Sequence, residues 1–190
     1  QSWLHNSDVK VRLLVQACTE RGGGDPIPGL IEMLRGEDLI MAVTAAQALG
    51  DIAPNLEDET RRGEIVQALL ARLAEYPALE QQSSLSMREA QLSLQPCAAE
   101  AMGRIADPAA FDGLRAALRD QSPAVRRKAA WALMRIGDPR CVPDLAPLLD
   151  DADADVRGTV FEILKLFHTE EAVAALEAWR DRLKAEVGEL

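Results

Sequence analysis

The stretch from residue 122 to 150, SPAVRRKAAWALMRIGDPRCVPDLAPLLD, constrains the fold most, because it recurs. A forward shift of 31 residues carries Val125 onto Val156, Arg126 onto Arg157, Leu133 onto Leu164, Ile136 onto Phe167, Val142 onto Val173 and Leu145 onto Leu176. The opposite shift lays the block on Ala98, Ala99, Ala101, Met102, Arg104, Ile105, Asp107, Pro108 and Leu114. Within the block, Val125, Ala129, Ala132, Leu133 and Ile136 make one apolar stripe at helical spacing, and Val142, Leu145, Leu148 and Leu149 make a second. The two helices meet at Gly137, Asp138 and Pro139. Neither buries its stripe alone, so each pair needs a neighbouring pair, and self-similarity at a fixed period supplies one.

The pattern of VR, then AA and ALG-I, a DP turn and a shorter leucine-bearing helix resembles the HEAT-like repeats of the bilin-lyase type. The resemblance covers nearly the whole chain. It implies an all-α fold, an α-solenoid of about five HEAT-like helix pairs wound as a right-handed superhelix. The expected repeats lie near 5–35, 36–76, 77–119, 120–150 and 151–190, in a single domain spanning 1–190. Leu4 precedes Val11 by the interval that separates Leu149 from Val156, so Leu4 reads as the close of a repeat whose beginning belongs to a longer protein.

The first helix carries Val11, Leu14, Val15 and Cys18, and three glycines from Gly22 stop it. Asp25 and Pro26 repeat the turn chemistry, with a carboxylate to accept a free amide and a proline at the first helical position. The second repeat, AVTAAQALGDIAP, matches CAAEAMGRIAD at a shift of 53 residues, 22 more than one period, so residues have been inserted between Pro54 and Cys97. Part of the excess lengthens the second helix of that repeat through Ile65, Val66, Leu69, Leu70 and Leu73. The rest runs from Tyr76 to Leu94. Pro77 to Ser86 is expected to be exposed and mobile, and the run from Ser86 to Leu94 to form helical turns leading into repeat three. Pro143 and Pro147 predict an irregular second helix in repeat four. The last helix is expected to place Val173, Leu176, Trp179, Leu183 and Val187 on one side.

Composition narrows the function. With 48% apolar residues but only 4% aromatics, alanine and leucine do the packing, which suits closely stacked helices. A net charge of -10 disfavours nucleic acid, because phosphates are repelled at long range, and points to a protein or peptide partner. Cys18, Cys97 and Cys141 are odd in number and irregularly spaced. They read as free thiols in a reducing compartment, hence a cytoplasmic setting. No apolar run is long enough to span a membrane.

Chemistry-bearing motifs are few. Asp151, Asp153, Asp155 and Glu162 occupy positions one, three, five and twelve of a calcium loop, but Val156 stands where that loop needs glycine. The preferred reading is helix-capping aspartates in an inter-repeat turn, with calcium the lesser one. Hydroxylases of the HEAT type hold iron through paired His-Glu steps, whereas here His5 precedes Asn6 and His168 precedes Thr169. No cofactor or catalytic residue is therefore expected. Arg12, Arg126 and Arg157 recur at one repeat position and are expected to bond adjacent repeats.

These readings favour a non-enzymatic scaffold that binds a partner on the inner helical face. The alternative is a subunit of a bilin lyase or similar cofactor-attachment enzyme, and the third is a DNA-binding HEAT-like protein. Aligned copies bring Gln47, Glu100, Trp131 and Glu162 to one position on the helix bearing VR and AA, the inner helix in HEAT-like folds. Trp131 is expected to stand exposed between neighbouring glutamates, with Lys128, Arg104 and Arg135 on the same face. The competing expectation is that Trp131 folds down over Ala101 and Ala132.

Overall fold

A computed structural model describes residues 9–74 and 85–188. Apart from turns and short connections these residues are helical, with no strand among them. The helices run in order as α1 (Val9–Arg21), α2 (Ile27–Arg35), α3 (Leu39–Ile52), α4 (Glu59–Ala74), α5 (Leu85–Ile105), α6 (Phe111–Ala117), α7 (Pro123–Ile136), α8 (Val142–Leu145), α9 (Ala154–Phe167) and α10 (Glu170–Gly188). They form five pairs stacked in chain order, an all-α solenoid. The first helices α1, α3, α5, α7 and α9 build one layer, each packed on the next, and the second helices build the other. A continuous core runs between the layers, from Leu30 and Leu49 through Leu69, Leu114 and Leu133 to Leu164.

Small residues bring the first-helix layer together. Ala45, Ala46, Ala98, Ala99, Ala129 and Ala130 are all completely buried, and short side chains let helix backbones approach. The limit is reached at Gly50, where a β-carbon would stand 2.8 Å from both Cα and Cβ of Ala101. Glycine is the residue that this α3–α5 contact accommodates.

Each pair is punctuated by the same local chemistry. Residues 24, 106, 137 and 168 end the first helices with positive φ, at 108°, 53°, 78° and 49°. Two are glycines, as left-handed backbone prefers; Ala106 and His168 accept it against side-chain sterics. Asp25, Asp107 and Asp138 then each accept a backbone N–H two residues on, at 3.1, 2.9 and 3.0 Å, and the proline that follows begins a helical turn without losing a bond. Repeat two departs: Ala53, followed by Pro54, stays right-handed and α3 runs into a short 3-10 turn.

The insertion lengthens two helices. α4 runs 16 residues and buries Ile65, Val66, Leu69 and Leu73. α5 runs 21 residues with Pro96 inside it, so the stretch after Ser86 is helical and continuous with repeat three. The expected exposed stretch at 77–86 lies outside the described residues apart from residues 85 and 86, which begin α5. In repeat four the prolines act as expected, since α8 is one turn long and gives way to a 3-10 turn over Ala146–Asp150.

The last helix corrects the sequence expectation. Ala172 is fully buried and Leu176 and Trp179 pack partly against the core, while Val173 and Leu183 are exposed at 49% and 39%. Val142, the repeat-four counterpart of Val173, follows a 3-10 turn over Pro139–Cys141. α10 has no such turn and starts where the Thr169 hydroxyl accepts the Ala172 N–H at 3.2 Å. The register is nevertheless kept, since Ala172, Leu176 and Trp179 face the core as Cys141, Leu145 and Leu148 do; Val173 is exposed because, among the described residues, no further helix pair lies against that flank of α10. Among the described residues, no helix is long and apolar enough to cross a membrane.

Candidate functional site

On the open side of the first-helix layer, equivalent positions from successive repeats stand side by side. The row that the repeat register singles out comprises Gln47 on α3, Glu100 on α5, Trp131 on α7 and Glu162 on α9. Gln47, Glu100 and Trp131 are half-buried and Glu162 is exposed. Trp131 therefore does not stand free as expected. Its six-membered ring lies over α5 at Gly103, where a β-carbon would come within 2.5 Å of the indole. The missing side chain at 103 makes the room.

A chain of ion pairs crosses three helices beside the indole. Asp51 on α3 accepts from Arg104 on α5 at 2.6 Å, Arg104 donates to Glu100 one turn earlier at 3.0 Å, and Glu100 receives Lys128 of α7 at 2.6 Å. All four side chains are about one-third exposed, at 30 to 37%. Burial alone would push the Glu100 carboxyl up, but Lys128 and Arg104 outweigh it and hold it below the usual range. Burial also opposes the charge on Arg104, and Glu100 and Asp51 overcome that, so the guanidinium is held more firmly charged. Cys97, one turn before Glu100, goes the other way: burial and then the Glu100 charge raise its thiol, against Lys128, Arg104 and a hydrogen bond with Gln47.

Between α5, α7 and α9 these groups enclose an open cleft of about 240 Å³, lined by Glu100, Arg127, Lys128, Trp131 and Thr159. Arg135, one turn beyond Trp131, stacks its guanidinium 5.7 Å from the indole centroid. Glu162 turns to Lys165 on its own helix at 2.9 Å. The structure thus connects Glu100, Arg104, Lys128, Trp131 and Arg135 in one group, which Gln47 reaches through its hydrogen bond with Cys97, while Glu162 pairs with Lys165. Arg127, Thr159 and Gly103 join them and were not foreseen. Comparing equivalent positions across repeats reads along the row, whereas Arg127 is found by stepping four residues back along α7 from Trp131.

Two of the three aspartates considered for calcium are committed elsewhere. Asp151 is held by Arg126 through two bonds of 2.8 and 2.6 Å, and Asp153 caps α9 by accepting the N–H groups of Asp155 and Val156, both at 3.0 Å. Glu162 sits more than two turns into the helix. No cluster of metal-ligating side chains occurs among the described residues. By its two bonds to Asp151, Arg126 ties repeat four to repeat five as expected, whereas Arg157 stays within its own repeat, donating to the backbone carbonyl of the same Asp151 at 2.7 Å. Arg126 lowers the Asp151 pKa, its hydrogen bond outweighing burial.

A family model described as HEAT repeats matches residues 90–165 and 116–187, more than half of the chain. No curated protein matches. Among solved structures, the complex of CpcE and CpcF of phycocyanin lyase from Nostoc sp. PCC7120 is similar in fold, with a TM-score of 0.52 and 20% identity over 77% of this chain and 60% of that one. An engineered protein gives 0.54 at 19% identity, over 98% of this chain and 51% of its own. A designed armadillo repeat protein in complex with the peptide (KR)4 gives 0.50 at 18%, over 93% and 88%. The chain thus spans about 60% of the lyase chain and half of the engineered one.

Proposed function

Because this chain belongs to the HEAT-repeat family, we propose that it is a non-enzymatic protein-interaction scaffold holding a protein or peptide on the open surface of its first-helix layer, taken as the inner face. The observation that carries this reading is Trp131, an aromatic seated on Gly103 in a cleft rimmed by charged side chains. A large rigid ring on a surface contributes contact area at small entropic cost, which is what interface hot spots use. The similar armadillo design solved with a peptide is a precedent for peptide capture by such a fold. A cytoplasmic setting rests on three free cysteines.

Affinity capture with the wild type and Trp131→Ala as parallel baits tests the proposal. Partners should be retained by the first and lost by the second, with the direct partner weakened by about 2 kcal/mol or more. Equal retention by both baits would place the interface on another face. The likeness to the lyase complex raises a second reading, a subunit of a bilin-attachment enzyme. Chromophore retained by the purified protein would favour that one instead.

A further inference from the structure

We propose that the partner held on this surface is an acidic peptide segment, in which two carboxylates flank an apolar side chain and straddle Trp131. The inference rests on the scaffold reading above and adds the chemistry of the ligand. Arg127, Trp131 and Arg135 are spaced four residues apart on α7, so they form one ridge about 12 Å long from the rise of the helix. The rest of the surface is largely neutralised. Arg104 is shared by Asp51 and Glu100, and Lys128 is paired with Glu100.

The two ends of the ridge are different. Arg135 stacks on the indole and has no ion pair among the described residues. Arg127 meets only Asp155, at 4.0 Å, a carboxylate whose side chain is 80% exposed. Two guanidinium groups with unused donors, one on each side of a half-buried ring, thus stand on a protein whose net charge is -10. The complement is carboxylate, apolar group, carboxylate. In an extended segment, residues i, i+2 and i+4 share one face and span about 13 Å, which matches the ridge. A nucleic-acid strand fits less well, because continuous phosphates would have to pass Glu100, Asp155 and Glu162 on the same surface. A basic peptide such as (KR)4 would meet the two guanidiniums as like charges.

A random dodecapeptide display library selected on the wild-type protein tests the proposal, followed by titration of a fluorescein-labelled peptide centred on Glu-Ser-Phe-Ser-Glu. The selection should enrich acidic residues four apart around an apolar one, and the labelled peptide should lose at least tenfold in affinity to Arg127→Gln/Arg135→Gln at unchanged melting temperature. The charge-reversed Arg127→Glu/Arg135→Glu should enrich Lys or Arg at the same spacing. Enrichment of basic or uncharged segments whose binding Trp131→Ala still abolishes overturns the acidic partner and leaves the surface standing. Enrichment indifferent to Trp131→Ala, or none, overturns both, as does preferential binding of a labelled oligothymidylate.

Discussion

At the scale of single residues, the pair of Arg126 and Asp151 fastens repeat four to repeat five. Arg126 and Asp151 are only 13% and 6% exposed, and the pair is bidentate. Asp151→Asn leaves a guanidinium facing a neutral amide and should lower stability by about 2 kcal/mol, since a broken buried pair leaves its partner unmatched. The Asp151 pKa is depressed in the fold. Its contribution is therefore complete above the unfolded value of about 3.9 and lost as pH falls through the folded one. Denaturant titrations at pH 6 and pH 3 should show the gap between wild type and variant closing at the lower pH; a gap of constant size would mean that the charge is not what Asp151 supplies. The left-handed ends offer a second measurement. Ala106→Gly and His168→Gly should each stabilise by about 1 kcal/mol, by relieving side-chain strain at positive φ.

Helix elements show where glycine serves contact and where it only weakens. Gly50 and Gly158 both lie inside first helices, α3 and α9. At Gly50 an added methyl meets Ala101 of the neighbouring helix at 2.8 Å, whereas at Gly158 it meets nothing within 4 Å. Gly158→Ala should raise stability by about 1 kcal/mol through helix propensity. The same change at Gly50 should lower it by about 1 to 3 kcal/mol, because two helices must move apart. Thermal melts of the two variants check the pair, and a stabilised Gly50→Ala would refute close packing of α3 on α5. Two prolines illustrate the same dependence on surroundings. Pro147 sits where α8 gives way to a 3-10 turn, yet α5 continues through Pro96, which is buried between packed neighbours that offset its lost bond.

For the whole molecule, stability is a sum over repeats and the contacts between neighbours, so it should not be uniform along the stack. α7 has packed helices on either side and completely buries Val125, Ala129, Ala130, Ala132 and Leu133. On α10 only Ala172 is fully buried among the described side chains. Amide hydrogen exchange should accordingly be slowest in α5 and α7 and fastest in α10. Equal protection in α7 and α10 would show that the repeats unfold as one unit.

The all-α class, the order of the helix pairs, the Asp-Pro turns and the site of the insertion were legible in the sequence, because they follow from periodicity and from local backbone chemistry. The row of Gln47, Glu100, Trp131 and Glu162 comes from the repeat register, which carries equivalent positions to equivalent places, and its binding role is a proposal. Tertiary structure alone decided how each side chain is used there. Trp131 lies down because the facing residue on α5 is Gly103, a neighbour 28 positions away that no helical spacing reveals. Lys128 is neutralised across helices while Arg135 is not, and that difference depends on which carboxylate the packing brings within reach. Val173 left the core for a similar reason: its place in the repeat matches that of buried Val142, but among the described residues no further helix pair covers that flank of α10.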